Sequence, residues 1–401
     1  MAKCKSHPLD VPIVEKNISG NLQAHDILLI ISIVCSIIAC SLSFYLIWRH
    51  LSNYVHPKTQ KLIIRILFMV PVYTICCIFS IQYYRENVYI GAIYEFYESI
   101  VIASFFLLLC RYLHIEMHSL RRVFALVQPK PWLYPVRLLR MKIWRKKTTY
   151  TEDGLKWFGI IWAAVFQFCV VKFLGALVKC ITEAAGVYCE ESSSIKHGRI
   201  WIQIIEIVSL VTAMFCLLQF YSQTKVVLAE RNPLLKFVAI KLVVFLFYVQ
   251  SFIFGRLTAE HGKLQPTDKL SYPSVSVGIP NTILCVEMAG VAALHLWAYP
   301  WQEYGGNMTR TSESPSSDNM MHFSCQQTSF PLPWWQALVH VLSFGDVLKG
   351  ILEGFHGLRT SRRNAIMAHY VDAGIEGRAS PYNTKDLSEA LDLVHRGPDE
   401  H

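Results

Sequence analysis

The chain has 401 residues and a formal net charge of +9, and 53% of its residues are hydrophobic while only 17% are charged. This composition lies outside the range of ordinary soluble domains and predicts an integral membrane protein. The twelve cysteines are scattered and fall mostly in apolar stretches, which indicates neither a zinc site nor a secreted disulfide framework. The sequence lacks nucleotide-loop, catalytic-serine and zinc-protease motifs, so we predict no enzymatic activity, cofactor or metal, and expect no nucleic-acid partner.

Seven apolar stretches occupy most of residues 27–300. A hydrocarbon core of about 30 Å requires about 20 apolar residues in a helix, so each stretch is predicted to cross the membrane once. The predicted fold class is an all-α bundle of seven transmembrane helices within a domain of residues 27–304. Residues 1–26 form a polar leader that we do not expect to be a cleaved signal peptide. The spans are predicted at 27–48, 62–82, 94–113, 163–185, 200–221, 235–255 and 279–300.

The distribution of Lys and Arg predicts the orientation. The connection at 111–154 contains ten of these residues, and such loops face the cytosol. The N-terminus is therefore predicted outside and the C-terminus in the cytosol. Asn17, in an Asn-Ile-Ser sequon, is a predicted glycosylation site on the outer side. Cys180 and Cys189 both fall near the outer face, where they could pair, and Cys110 beside a cytosolic Arg is a candidate for acylation.

Two amphipathic segments are predicted on the cytosolic side. Residues 129–147 mix aromatic and aliphatic residues with basic ones, which favours an interfacial helix over a solvated basic loop. Residues 305–332 have the composition of a flexible linker. Residues 333–363 repeat apolar side chains at helical spacing and are predicted to lie on the membrane surface or against the bundle. The polar residues 364–401 are expected to form a mobile tail.

Several predicted spans contain ionisable residues, which cost at least ~2.5 kcal/mol in the bilayer centre and are functional candidates by default. Arg65 and Lys241 each follow a span-opening proline by eight residues, about 12 Å along a helix, in the cytosolic half. The apolar run 157–187 is too long for one perpendicular crossing, so part of it must tilt or lie in the interface. A fourth span that begins near residue 163 would place Lys172 in the same layer, although Lys172 could also rise to meet Glu206 or Glu287. The acids of the outer half are Glu95, Glu98, Glu206 and Glu287.

Two interpretations of the basic layer stay open. Long Lys and Arg side chains can snorkel from one or two turns deep to the headgroups at little cost. Alternatively, Arg65, Lys172 and Lys241 form a site that attracts an anionic group from the cytosolic side. Glu287 is too short to snorkel and is expected to face the interior, where it shapes or gates the path.

Particular strings resemble one family, that of organic solute transporter subunit alpha and transmembrane protein 184. The resemblance covers about residues 25–305, in span order. The strings are His56-Pro57-Lys58, the run from Lys61 to Tyr73, Tyr97-Glu98-Ser99, Gln167 to Lys172, Gly186-Val187-Tyr188, Lys236 to Lys241, and Cys285-Val286-Glu287-Met288. They retain Arg65, Glu98, Lys172, Lys241 and Glu287, which the resemblance indicates as substrate-binding positions.

The resemblance implies seven helices, an outer N-terminus and transport of amphipathic anions, such as bile acids and steroid conjugates, by facilitated diffusion with a single-span beta partner. Other relatives are linked to trafficking and signalling. The chain departs from the family in three places, one of which is Phe247-Tyr248-Val249-Gln250 in the sixth span, where an aromatic residue before the Gln is usual. It also has Tyr94-Glu95 where relatives often have Arg-Asp, and the cysteine-rich patch after the third span is reduced to Cys110.

We therefore expect a transporter, or a transporter-like protein, for amphipathic organic anions or lipids that works without ATP. The alternative is a scaffold or trafficking regulator on endomembranes. A receptor is disfavoured, because no cysteine opens the third span and the seventh lacks an Asn-Pro-x-x-Tyr turn. The expected location is an endomembrane (vacuole or endosome) or the plasma membrane. The expected partners are membrane lipids, an amphipathic anion or sterol-like substrate, and a beta subunit or a second copy of the chain.

Overall fold

The structure is a computed structural model and is mostly helical. Nine helices of ten residues or more are defined in the part of the chain that it describes, where no β-strand longer than an isolated bridge occurs. The described residues are 9, 13–18, 21–113, 117–127, 129–132, 154–188, 198–229, 233–257, 266–305, 336, 339–341 and 343–353. The predicted interfacial helix beyond residue 132, nearly all of the linker and the tail 364–401 lie outside them.

The helices follow the predicted spans, with most ends extended by several residues. They are α1 (Ala24–Ser52), α2 (Pro57–Leu67), α3 (Met69–Gln82), α4 (Asn87–Leu113), α5 (Met117–Leu126), α6 (Gly154–Ala184), α7 (Gly198–Leu228), α8 (Pro233–Leu257) and α9 (Ile279–Ala298). Within the described residues, six helices are long and apolar enough to cross a membrane, with α2 and α3 counted together as one. The remaining predicted span, the sixth at 235–255, corresponds to α8, whose 25 residues would extend about 37 Å. That α8 crosses the membrane stays a prediction.

The second span is broken near its middle. Pro71 lacks the N–H that would bond to Leu67, and its ring clashes with that carbonyl group. The helix accordingly stops after Leu67 and resumes at Met69, and Phe68 forms the joint. Pro57 stands at the first position of α2, where a missing N–H costs nothing.

The fourth span is one continuous helix of 31 residues. It begins at Gly154, nine residues before the predicted start at 163, so the predicted start was wrong. The reason is a close tertiary contact, since a Cβ at Gly154 would stand 2.1 Å from the carbonyl oxygen of Phe124. Glycine therefore lets the start of α6 pack directly on the backbone of α5. The apolar run 157–187 consequently lies in one continuous helix as far as Ala184, and its tilt or interfacial part stays a prediction.

α4 is the central helix. It packs against α2, α3, α5, α6, α7 and α8, and its second half is almost entirely buried. α1 and α9 pack closely together and cover α3 on one side, while α6 and α7 pair on the other. The structure therefore has two helix groups joined through α4.

One end of the bundle carries residues 53–57, 117–127, 129–132 and 299–305. We call it the basic end, because the basic connection 111–154 leaves α4 there, and we call the other the opposite end. The leader is held at the opposite end by Glu15, which accepts hydrogen bonds from the backbone N–H groups of His25 and Ser271 at 2.9 and 2.8 Å. The positive-inside rule assigns the basic end to the cytosol, and this orientation stays a prediction.

Residues 339–341 and 343–353, which we call the C-terminal segment, pack against the basic end. Residues 345–353 are helical. The indole N–H of Trp162 donates to the carbonyl oxygen of Gly350 at 2.9 Å, and Val341 and Val347 are buried. Two locations were predicted for this amphipathic segment, the membrane surface and the bundle. Its described residues lie against the bundle.

Candidate functional site

Four charged side chains meet inside the bundle, where α4, α6 and α7 pack together. Lys172 Nζ lies 2.8 Å from Glu206 Oε2 and 3.1 Å from Glu95 Oε2. Lys179 Nζ lies 3.2 Å from the same Glu206 oxygen and also contacts Glu95 Oε2. Two cations and two carboxylates thus form a neutral network, which we call the four-charge cluster.

Helical spacing brings these side chains together. Lys172, Gly175 and Lys179 stand at i, i+3 and i+7 and therefore share one face of α6. Glu95 and Glu206 each lie eight residues from the first residue of a helix that starts at the opposite end, about 12 Å along its axis. Gly175 allows a close approach, because a Cβ there would stand 2.4 Å from Glu206 Oε1.

Burial makes the pairing obligatory. The side chains of Lys172, Glu206 and Lys179 are 2%, 6% and 9% exposed, and that of Glu95 is 22% exposed. Removal of one member of a buried ion pair leaves an uncompensated charge and is strongly destabilising. Glu95 is the member closest to the protein surface, and it is therefore the member that another anion could replace most easily.

Arg65, near the basic end, is bound by the C-terminal segment. Its Nε donates to the carbonyl oxygen of Val341 at 3.0 Å, and its Nη2 donates to that of Ser343. Its Nη1 donates to Asp346 Oδ2 at 2.8 Å, and Lys61 Nζ lies 3.4 Å from the other Asp346 oxygen. Arg65 is 1% exposed, so it does not snorkel to the headgroups.

The Asp346 carboxylate therefore occupies the Arg65 guanidinium. Burial by itself raises the pKa of Asp346, but the hydrogen bond from Arg65 and the charges of Arg65 and Lys61 outweigh it and lower that pKa. The carboxyl group is consequently ionised at neutral pH. The chain supplies Arg65 with an internal anion.

The predicted common layer of Arg65, Lys172 and Lys241 was wrong for Lys172. Arg65 lies eight residues after the start of α2, about 12 Å from the basic end, whereas Lys172 lies eighteen residues after Gly154, about 27 Å from it. The early start of α6 explains the difference. Lys172 instead meets Glu206, one of the two partners that its position allowed, and also Glu95, which was not predicted as its partner.

The lysine of α8 whose contacts are described is Lys236, and not the predicted Lys241. Lys236 is 1% exposed, and its Nζ lies 3.6 Å from Glu303 Oε2 and 5.2 Å from the centre of the Tyr112 ring. Cations interact favourably with the faces of aromatic rings. The side chain of Lys241 lies outside the described residues, so its predicted role stays a prediction.

The two remaining predicted site residues lie apart from each other. Glu98 is buried on α4, one turn beyond Glu95. Glu287 is half-buried on α9 beside Gln250 of α8, and its Oε2 has no hydrogen-bond partner among the described residues. Neither belongs to the described contacts of the four-charge cluster, and their predicted roles in binding are untested.

The predicted modification sites have different surroundings. Asn17 is exposed, as glycosylation requires. Cys110 is 1% exposed inside α4, so its acylation would require the thiol to leave the helix packing. Cys180 is half-buried near the end of α6, and Cys189 lies outside the described residues, so their pairing stays a prediction.

Sequence reasoning missed Lys179 and Asp346. Lys179 stands two turns after Lys172 on the same helical face, a spacing that could have indicated a shared partner. Asp346 is 281 positions from Arg65 in the chain, and no local pattern connects them.

Comparison with known proteins identifies a family. The profile of the family described as organic solute transporter Ostalpha matches residues 28–304, which include the four-charge cluster and Arg65 but not Asp346. Protein LAZ1 of Arabidopsis thaliana is 30% identical over 284 residues, which are 67% of this chain and 56% of LAZ1. This chain thus spans little more than half the length of that relative. No solved structure matches.

Proposed function

Because the chain belongs to the organic solute transporter Ostalpha family, we propose that it is a membrane transporter for amphipathic organic anions or lipids of the steroid or bile-acid type. Transport would be facilitated and independent of ATP. The observation that carries the proposal is the buried pair Lys172 and Lys179, which share carboxylate partners inside the helix bundle.

An organic carboxylate or sulfate offers these lysines the same oxygen acceptors as Glu95. Such an anion could replace Glu95, the most exposed member of the cluster, without leaving Lys172 and Lys179 uncompensated. Glu206 would stay in place, since its carboxylate is packed against Gly175. The exchange therefore avoids the large cost of an unpaired buried charge.

An apolar surface adjoins the cluster. Phe96 follows Glu95, and Phe173 follows Lys172. The two rings pack with their centres 5.5 Å apart, and Phe173 is 48% exposed. A substrate with an anionic group on a flat apolar body could place that body against these rings while its charge meets the lysines.

The proposal competes with a simpler interpretation, in which the four-charge cluster only ties three helices together. The double variant Lys172→Met with Glu206→Met separates the two. It removes a cation and a carboxylate together, so folding should be preserved. We expect uptake of a radiolabelled steroid sulfate into proteoliposomes to fall about tenfold or more, because a charge-assisted contact is lost.

Lys225→Met is the matched control, since Lys225 is an exposed lysine of α7 outside the cluster. Its uptake should equal that of the unmodified chain. The melting temperature of each purified variant must be measured in parallel. If the double variant folds and its uptake is unchanged, the lysine pair does not bind the substrate.

The location and the partner belong to the same proposal. We expect an integral multi-pass protein of an endomembrane or the plasma membrane, with a single-span beta subunit as the family resemblance implies. The alternative function is that of a scaffold or trafficking regulator on endomembranes.

A further inference from the structure

A second charged site lies at the basic end, separate from the four-charge cluster. A pocket of about 180 Å³ opens between α2, α4, α6 and the C-terminal segment. Its charged lining consists of Lys58, Lys61, Arg111, Lys349, Asp346 and Glu353. Trp162 and aliphatic side chains of α2 and α4 contribute its apolar wall.

The lining carries excess positive charge. Four cationic side chains face two carboxylates, and both carboxylates already have partners. Asp346 is bound by Arg65 and Lys61 at 2.8 and 3.4 Å, and Glu353 Oε2 lies 2.9 Å from Arg121 Nη2. Lys58 and Lys349 are the exposed cations of the lining, and an additional anion with about two negative charges would match the charge of these two lysines.

The size of the pocket restricts the ligand. Pockets for drug-sized molecules measure roughly 300–1,000 Å³, so 180 Å³ is too small for a steroid skeleton. It is large enough for a compact anionic group. A phosphate monoester carries close to two negative charges at neutral pH and three strong acceptor oxygens, and Lys and Arg are its usual partners.

The position of the pocket favours a ligand at the membrane surface. Lys58 is the second residue of α2, and Arg111 lies two residues before the end of α4. Both therefore stand where their helices would leave the bilayer on the basic end, at the level of the lipid headgroups. Lys58 and Lys349 are exposed, so the pocket is accessible from outside the bundle.

We propose that this pocket binds a phosphate monoester group, carried by a lipid headgroup or a soluble phosphate, and that binding fixes the C-terminal segment over Arg65. Lys58 and Arg111 belong to the bundle, and Lys349 belongs to the segment. A phosphate held by both sides bridges them. The site is independent of the transport function proposed above.

Binding to the purified full chain tests the proposal. The probes are dioctanoyl phosphatidylinositol 4-phosphate, the same lipid without the monoester phosphate, inositol 1,4-bisphosphate and inorganic phosphate. We expect saturable binding of the first probe and none of the lipid that lacks the monoester. Binding of inositol 1,4-bisphosphate or inorganic phosphate with equal affinity would identify a soluble phosphate as the ligand, whereas their failure would identify the lipid.

The double variant Lys58→Gln with Lys349→Gln should weaken binding of dioctanoyl phosphatidylinositol 4-phosphate about tenfold or more. The control is Lys156→Gln with Lys225→Gln, which removes the same charge from two exposed lysines outside the pocket and should leave the Kd unchanged. Hydrogen exchange of residues 343–353 should slow when the probe binds. The proposal is overturned if no probe binds, if both double variants bind equally, or if binding leaves that exchange unchanged.

Discussion

At the scale of single residues, Gly175 is as important to the four-charge cluster as the charges themselves. Lys172 and Lys179 lie on either side of it on one face of α6, and the absent side chain makes room for Glu206. A helical glycine normally costs about 1 kcal/mol relative to alanine. Here that cost is offset by a buried ion pair that needs the space.

This interpretation predicts the effect of Gly175→Ala. The new Cβ would stand 2.4 Å from Glu206 Oε1, so the carboxylate must move although two lysines hold it. We expect a lower melting temperature, with a loss of stability of roughly 1–2 kcal/mol after the gain in helix propensity is subtracted. Uptake of a steroid sulfate should also fall.

Gly159→Ala provides the control on the same helix. A Cβ at Gly159 meets no atom within 4 Å, so only the gain in helix propensity remains, and the melting temperature should be equal or higher. Equal melting temperatures for the two variants would show that the close approach of Glu206 to Gly175 has no effect on stability.

Individual charges were only partly predictable from the sequence. The outer depth of Glu95 and Glu206 followed from counting residues from the ends of the spans, whereas for Arg65 the sequence left both snorkelling and an anion site open. The partners of Arg65 were not predictable, because Val341, Ser343 and Asp346 lie more than 270 positions away. A local pattern contains no information on such a contact.

At the scale of elements, the C-terminal segment is the feature that most changes the interpretation of the basic end. It supplies all three described acceptors of the Arg65 side chain and one wall of the phosphate pocket. Its amphipathic pattern predicted an apolar face, but the pattern could not distinguish a membrane surface from a helix bundle as the partner. A membrane surface and a helix bundle would bury the same apolar side chains.

The docking of this element depends on Gly350. A Cβ there would stand 2.3 Å from the ring of Phe166, which is buried. Gly350→Ala should therefore release the segment without a change of charge, and hydrogen exchange of residues 343–353 should become at least about tenfold faster, as for a loss of 1.4 kcal/mol or more.

The matched variant is Gly345→Ala in the same segment. The nearest atom to a Cβ at Gly345 is the Ser343 hydroxyl oxygen at 3.8 Å, an ordinary contact, so exchange should stay slow. Faster exchange in both variants, or in neither, would mean that the Gly350 contact does not hold the segment.

At the scale of the whole molecule, the family match covers the helix bundle, which we call the core, but not the C-terminal segment. The matched residues 28–304 contain the nine helices except the first residues of α1, together with the four-charge cluster. The C-terminal segment lies beyond the match. A transport pathway shared with the family should therefore lie in the core, and the segment should modify it.

Truncation after Gly305 tests this division. We expect the shortened protein to keep its uptake of steroid sulfate, because Lys172, Lys179 and their carboxylates remain. Uptake should be as fast as in the full chain or faster, since Arg65 is no longer covered at the basic end. Loss of uptake with an unchanged melting temperature would contradict a transporter core in residues 28–304 and would favour the scaffold function.

The sequence by itself determined the membrane class, the approximate positions of the long helices and the family, because these depend on hydrophobic runs and local strings that folding does not alter. Only the tertiary structure decided which charges meet. It moved Lys172 from the predicted basic layer to the outer carboxylates, added Lys179, and placed Asp346 on Arg65. The physical reason is that a buried charge must find a partner, and the partner is set by packing between helices.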